Sequence, residues 1–191
     1  MIVVIKVGGS LFDWPEFGPR LRDLLATLEG QNVLLVPGGG PAANAVRIYD
    51  RAHSLGQEAA HWLALRALTL NAQLLAGLLQ PVAQVVEGLN AARSSWRRGG
   101  CPLLDLYRFA RGDEGRPDRL PHTWAVTSDS LAARVAAVAG AERLLLLKSA
   151  PPPVADWAEA GRLGYVDPMF APTIAGATFA VDAINLRSAG G

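Results

Sequence analysis

Two lysines, one aspartate and two runs of glycine hold most of the chemistry this chain can offer. Lys6 closes the aliphatic run Ile2 to Ile5 and is followed, after Val7, by Gly8, Gly9 and Ser10. Lys148 closes a second apolar run, Glu142 to Leu147, and leads into Ser149. A further glycine run, Gly38 to Gly40, ends the aliphatic segment Asn32 to Val36, and Asp129 stands in the stretch Thr127 to Ser130 ahead of an alanine-rich segment. Glycines without Cβ let backbone N–H groups approach an oxyanion closely, and each lysine adds a compact point charge. Asp129, accepting from both Lys6 and Lys148, would keep the two ammonium groups extended and charged. Phosphoryl transfer needs this equipment, because its demands are in-line positioning and neutralisation of charge on the moving group. With few carboxylates free to hold a metal alone, Mg2+ is expected to accompany ATP rather than occupy a protein-built metal site. The chain has neither the GxxxxGK[ST] nor the GxGxxG pattern.

The elements that must position these residues follow from apolar spacing. Strands are expected at Ile2 to Ile5, Asn32 to Val36, Val82 to Val86, Glu142 to Leu147 and Thr178 to Ile184. Helices are expected over Phe12 to Leu28, Ala42 to Leu55, Glu58 to Leu79, Leu89 to Arg98 and Leu131 to Ala139, with a short one beginning at Asp167-Pro168. Two strand-to-glycine junctions separated by one helix make a βαβ unit. Both loops then lie at one edge of a parallel sheet and can face one ligand. The fold class is therefore α/β, a three-layer sandwich with a mostly parallel central sheet. Arg111 to Pro121 reads as a polar surface loop able to move, Trp157 to Tyr165 as irregular, and the residues after Ile184 as a small-residue tail.

Several side chains admit two readings. His61, near a helix start, is a ligand contact or an ordinary capping histidine. Thr127 or Ser128 can cap the helix that carries Asp129 and also touch a ligand. Arg93, Arg97 and Arg98 either meet a phosphate or form a solvated helix end. Cys101, the single cysteine, is expected to be a packing residue.

With 191 residues, half of them apolar, the chain suits one domain spanning residues 1–191. A formal charge of +1 gives no support for a nucleic-acid or membrane partner, and one cysteine excludes an internal disulfide framework. Met1 leads straight into a strand and no apolar run approaches a bilayer span, so a cytoplasmic protein is expected.

KVGGSL at 6–11, VPGGGP at 36–41, TSDSLAA at 127–133 and LLLLKS at 144–149 resemble, in order, the motifs of the amino acid kinase family. That resemblance implies a Rossmann-like α/β/α fold, ATP and Mg2+ as cofactors, a small-molecule acceptor and a homo-oligomer. Lys6 would contact the transferring phosphoryl group, Asp129 would organise the lysines, and Lys148 would correspond to a lysine of the uridylate kinases. Gly8, Gly9 and Ser10, with Lys148 and Ser149, would line the nucleotide phosphates. Gly38, Gly39 and Gly40 would hold the acceptor, with His61, Thr127 and Ser128 beside it. HWLALRAL at 61–68 and LPHTWAVTSDS at 120–130 are similar to the short branch that phosphorylates an aminomethylfuran phosphate in methanofuran-type cofactor synthesis. An alternative is a kinase for a nucleoside monophosphate or isopentenyl phosphate, the former disfavoured by the scarcity of basic and aromatic residues marking an acceptor pocket. Another is a non-catalytic anion-binding member of the fold. In place of the family's Val-Asp-Gly-Val-Tyr loop after the second lysine stand Ser149, Ala150 and three prolines, with Tyr165 and Asp167-Pro168 as its displaced remnant.

Overall fold

The computed structural model describes residues 1–188. The last three residues of the expected small-residue tail lie outside the described residues. Strands β1 (Ile2–Val7), β2 (Asn32–Pro37), β3 (Ala83–Val86), β4 (Cys101–Leu104), β5 (Arg143–Lys148) and β6 (Ala180–Asn185) form one sheet in the order β3-β4-β2-β1-β5-β6. Every pairing in it is parallel, so the expected mostly parallel sheet is wholly so. The helices are α1 (Phe17–Ala26), α2 (Gly40–His53), α3 (Gln57–Leu78), α4 (Leu89–Trp96), α5 (Leu106–Asp113), α6 (Ser128–Ala139), α7 (Trp157–Arg162) and α8 (Phe170–Ile174).

Strand periodicity divides the interior into two cores. Val4, Leu34, Val36, Leu144 and Leu146 face one core, shared with α6 and with Leu65 and Leu68 of α3. Val3, Ile5, Leu35, Leu145 and Leu147 face the other, covered by Phe17 and Leu21 of α1 and by Leu75 of α3. These two faces make the middle layer of a three-layer sandwich. Among the described residues no helix is long and apolar enough to cross a membrane.

Four expectations need correction. Helix α1 starts at Phe17 rather than Phe12, because Gly9–Leu11 forms a 3-10 turn and Pro15 disfavours helical geometry at Trp14. Segment 101–113, assigned no element from sequence, forms β4 and α5. Trp157–Arg162 is helical, capped by Asp156, whose carboxylate accepts from the Glu159 amide at 2.7 Å. The loop expected from Arg111 begins inside α5 and is tied down by Arg134, which bonds Asp113 Oδ2 at 2.8 Å and Asp118 Oδ1 at 2.8 Å.

Candidate active site

Side chains alternate across a strand, so Ile2, Val4 and Lys6 of β1 share a face, as do Leu144, Leu146 and Lys148 of β5. The register pairs Lys6 with Leu146, and therefore both lysines emerge on the same face at the carboxyl edge of the sheet. Helix α6 covers that face. Its Ala132, Ala133 and Ala136 are fully buried, and their small side chains let the helix approach the strands closely. Asp129, in the first turn of α6, is thereby set between the two lysines. Lys6 Nζ lies 2.9 Å from Asp129 Oδ1 as an ion pair, and Lys148 Nζ donates to Oδ2 at 2.9 Å. A second bond from Lys148 Nζ reaches the Tyr165 carbonyl at 2.6 Å.

Burial works against the Asp129 anion, but the Lys6 and Lys148 charges overcome it and hold the carboxyl below its ordinary range. Desolvation, with repulsion from Lys6, lowers Lys148 to about 8 despite its bond to Asp129. One carboxylate thus faces two ammonium groups, an excess of positive charge suited to a polyanion.

A second carboxylate serves the site in a role the sequence did not reveal. Asp167, only 6% exposed, reaches the start of α6 from beyond β5. Its Oδ2 accepts from the Thr127 amide at 2.9 Å, the Thr127 hydroxyl at 2.8 Å and the Ser130 amide at 3.0 Å. Its Oδ1 accepts from the Ser130 hydroxyl and from the Met169 amide. Asp167 thus takes on the orphan donors that the first turn of a helix exposes. Thr127 is the N-cap residue, and its contact with the Asp129 amide, at 3.5 Å, is long. Asp167 precedes α8, and the sequence showed it as the start of a helix and as part of a displaced loop remnant, not as the cap of α6. Tyr165, expected as part of a displaced adenine loop, supplies the carbonyl under Lys148, and its hydroxyl donates to Ala150 O at 3.2 Å.

The two glycine turns pack backbone to backbone. A Cβ on Gly9 would stand 2.2 Å from Gly40 N, and one on Gly38 would stand 2.4 Å from Val7 O. The Gly8 amide is spent on Leu147 O at 2.8 Å, and Asn71 of α3 donates to the carbonyls of Gly38 and Gly39 at 2.7 Å each. Gly8 is therefore tied to β5, and Gly38 to α3 and closely against the first loop. Gly9, Ser10, Gly39 and Gly40 line an open slot, with His61, Thr127 and Ser128 further along its walls. Ser10 and Ser149 are joined hydroxyl to hydroxyl at 2.8 Å, which ties the first loop to the segment after Lys148.

The slot encloses about 230 Å³ between the glycine turns, α2, α3 and the stretch from Thr123 to Leu131. Its apolar wall is Leu65, Leu68, Val126 and Leu131, and its aromatic wall is Trp124. Arg47 lies over the Trp124 ring, its guanidinium carbon 4.1 Å from the centroid. The slot thus does carry the basic and aromatic pair whose scarcity in the sequence had told against a nucleotide acceptor. His61 is 7% exposed and stacks on His122 at 4.5 Å. Burial and the neighbouring His122 push His61 down to about 4, so it is neutral at physiological pH. His122 itself is bracketed by Glu58 at 2.5 Å and Glu114 at 2.9 Å.

Other candidates stand apart. Arg93 and Arg97 line a hollow with Ile2 and Asn32, at the amino ends of the strands and so at the sheet edge opposite the lysines. Cys101 is a packing residue whose thiol burial raises to about 12. Among the described residues no group of three or more His, Cys, Asp or Glu could hold a metal ion, and both oxygens of Asp129 face lysines.

These features define an α/β sandwich with a buried lysine–aspartate–lysine cluster and an open slot at the carboxyl edge of a parallel sheet, where the strand order turns about β1. Residues 1–152 match the model of the Amino acid kinase family, and the chain belongs to that family. It is 26% identical over 129 residues to the [5-(aminomethyl)furan-3-yl]methyl phosphate kinase of Methanocaldococcus jannaschii. That match covers 67% of this chain and 56% of the relative, so the chain spans little more than half the length of the relative it matches. Among solved structures, uridylate kinase from Archaeoglobus fulgidus superposes with a TM-score of 0.68 at 18% identity, over 95% of this chain and 89% of that one. UMP kinase from Ureaplasma parvum gives 0.70 at 14%, over 98% and 91%. At these identities the two structures speak for the fold.

Proposed function

We propose that this protein transfers the γ-phosphoryl group of ATP to a small acceptor that already bears a phosphate. [5-(Aminomethyl)furan-3-yl]methyl phosphate is the first candidate, by likeness to the archaeal relative. The observation that carries the reading is the buried Lys6–Asp129–Lys148 triad at the sheet edge. Lys6 and Lys148 neutralise charge on the phosphoryl oxygens, and Asp129 fixes where the two ammonium groups stand. Ser10 and the Gly9 amide of the first loop, with Ser149 after β5, hold the nucleotide phosphates. Gly39, Gly40, His61, Thr127 and Ser128 wall the acceptor side. Mg2+ arrives on the nucleotide, since the carboxylate nearest the site is committed to lysine.

No side chain along the slot is a base ready to take a proton: it has no carboxylate, and His61 holds its proton only below about pH 4. An acceptor oxygen that is already ionised needs no such base, and a phosphate monoester supplies one. The reading also includes a homo-oligomer built on α3, whose Leu63, Leu70 and Leu74 are 40%, 64% and 45% exposed beside Ile48 and Tyr49 of α2.

The test is phosphorus NMR of the protein with Mg-ATP and the aminomethylfuran phosphate. ADP and a new diphosphate pair of resonances are expected, absent with Lys6→Met. ATP binding without transfer to this acceptor or to nucleoside monophosphates would favour the non-catalytic alternative, which the proline-rich segment after Ser149 supports.

A further inference from the structure

Among the residues lining the slot, Arg47 is the one with a permanent charge, and no carboxylate lines it to balance that charge. Its guanidinium lies over the Trp124 ring and makes no hydrogen bond or ion pair with any described residue. The ring is itself held. The Trp124 indole N–H donates to Asp50 Oδ2 at 2.7 Å, and Asp50 Oδ1 accepts from the Gly56 amide at 3.2 Å. An arginine held over a fixed ring keeps its N–H fork ordered, and a half-buried cation without a hydrogen-bonding or ionic partner among the described residues calls for an oxyanion from the ligand. Arg47 lies seven residues into α2 from Gly40, and long helical side chains lean toward the helix N-terminus. The guanidinium is therefore carried back toward the glycine turns, where the transfer would take place.

We propose that Arg47, braced by Trp124, is the subsite for the acceptor's own phosphate, and that this phosphate is the nucleophile. This rests on the kinase reading above. An unprotonated oxygen of the acceptor phosphate attacks the γ-phosphorus of the nucleoside triphosphate. The new P–O bond forms as the bond from the γ-phosphorus to the β,γ-bridging oxygen breaks; the nucleoside diphosphate leaves with the electron pair, and the acceptor becomes a diphosphate. No proton moves, which matches a slot without a base. The fork favours a phosphate over a carboxylate because it has two oxygens to grip while a third attacks.

The test is calorimetric titration with furfuryl phosphate and with furan-2-acetate, in the presence of saturating Mg2+ and a non-hydrolysable ATP analogue. Wild-type protein is expected to bind the phosphate at least roughly 10-fold more tightly than the carboxylate. Arg47→Gln, which keeps the apolar stem on Trp124, should weaken phosphate binding by roughly 10–100-fold, and Arg47→Lys by less, with the melting temperature and analogue affinity unchanged. Equal affinity in Arg47→Gln, a carboxylate bound as tightly as the phosphate, or no phosphate binding by a protein that still binds the analogue would each overturn the proposal. If the analogue itself fails to bind, the kinase reading falls. Titration without the analogue then decides whether Arg47 still governs a phosphate site.

Discussion

Asp129 Oδ2 accepts from Lys148 Nζ at 2.9 Å across the boundary between α6 and β5, with the same carboxylate 2.9 Å from Lys6 on β1. Three elements therefore converge on one buried anion, and its removal tests both stability and chemistry. Asp129→Ala leaves two ammonium groups buried side by side. Breaking a buried pair costs roughly 3–5 kcal/mol, which for a chain of this size lowers the melting temperature by roughly 6–20 °C. Differential scanning calorimetry at pH 7 checks this, and a loss below about 1 kcal/mol would place the pair in solvent.

The lowered Lys148 sets a pH dependence. Its ammonium gives up its proton near pH 8 in the folded protein, whereas an unfolded lysine holds it to about 10.4. The charged form is the one that neutralises phosphate, so kcat/KM for ATP should fall as pH rises through about 8. Stability moves the opposite way. Between about pH 8 and the unfolded value the unfolded chain binds the extra proton, so rising pH relieves the cost of burying the charge. Urea denaturation of wild type and Lys148→Met at several pH values isolates this term: the stability of wild type relative to the methionine variant should rise across that window.

Asp167→Ala should act at a distance on the same site. It strips the acceptors from the Thr127 and Ser130 donors, leaving buried groups unsatisfied at roughly 1–3 kcal/mol each, with partial relief by water. Helix α6 then loses its fixed start, and Asp129 rides on that first turn. A lowered melting point together with weaker ATP binding is expected. Loss of stability with unchanged ATP affinity would make Asp167 a purely structural cap.

Lys6, Asp129 and Lys148 were legible in the sequence because strand periodicity and a helix start are local signals. Asp167 was not, since it lies 40 residues from Thr127 and its role depends on where α8 returns the chain. Strand β4 was equally hidden. Four residues containing Pro102 carry little periodicity, and its place in the sheet comes from pairing with β3 and β2. Arg47 and Trp124 sit in separate segments that read as a helix face and a loop, and only the packing of α2 against Thr123 to Leu131 makes them one wall.

The exposed leucines of α3 predict self-association. Leu70→Glu combined with Leu74→Glu would place charge on that face, and sedimentation velocity should show a wild-type dimer or larger species reduced to monomer. A monomeric wild type would remove α3 as an interface.

The most direct measurement is calorimetric titration of wild type, Lys6→Met and Lys148→Met with Mg2+ and a non-hydrolysable ATP analogue, each fold verified by circular dichroism. Micromolar binding by wild type, weakened roughly 10–100-fold by either substitution, is the expected result. Absence of binding by wild type, or equal binding by folded variants lacking either lysine, would contradict the assignment of this edge of the sheet to the phosphates of ATP.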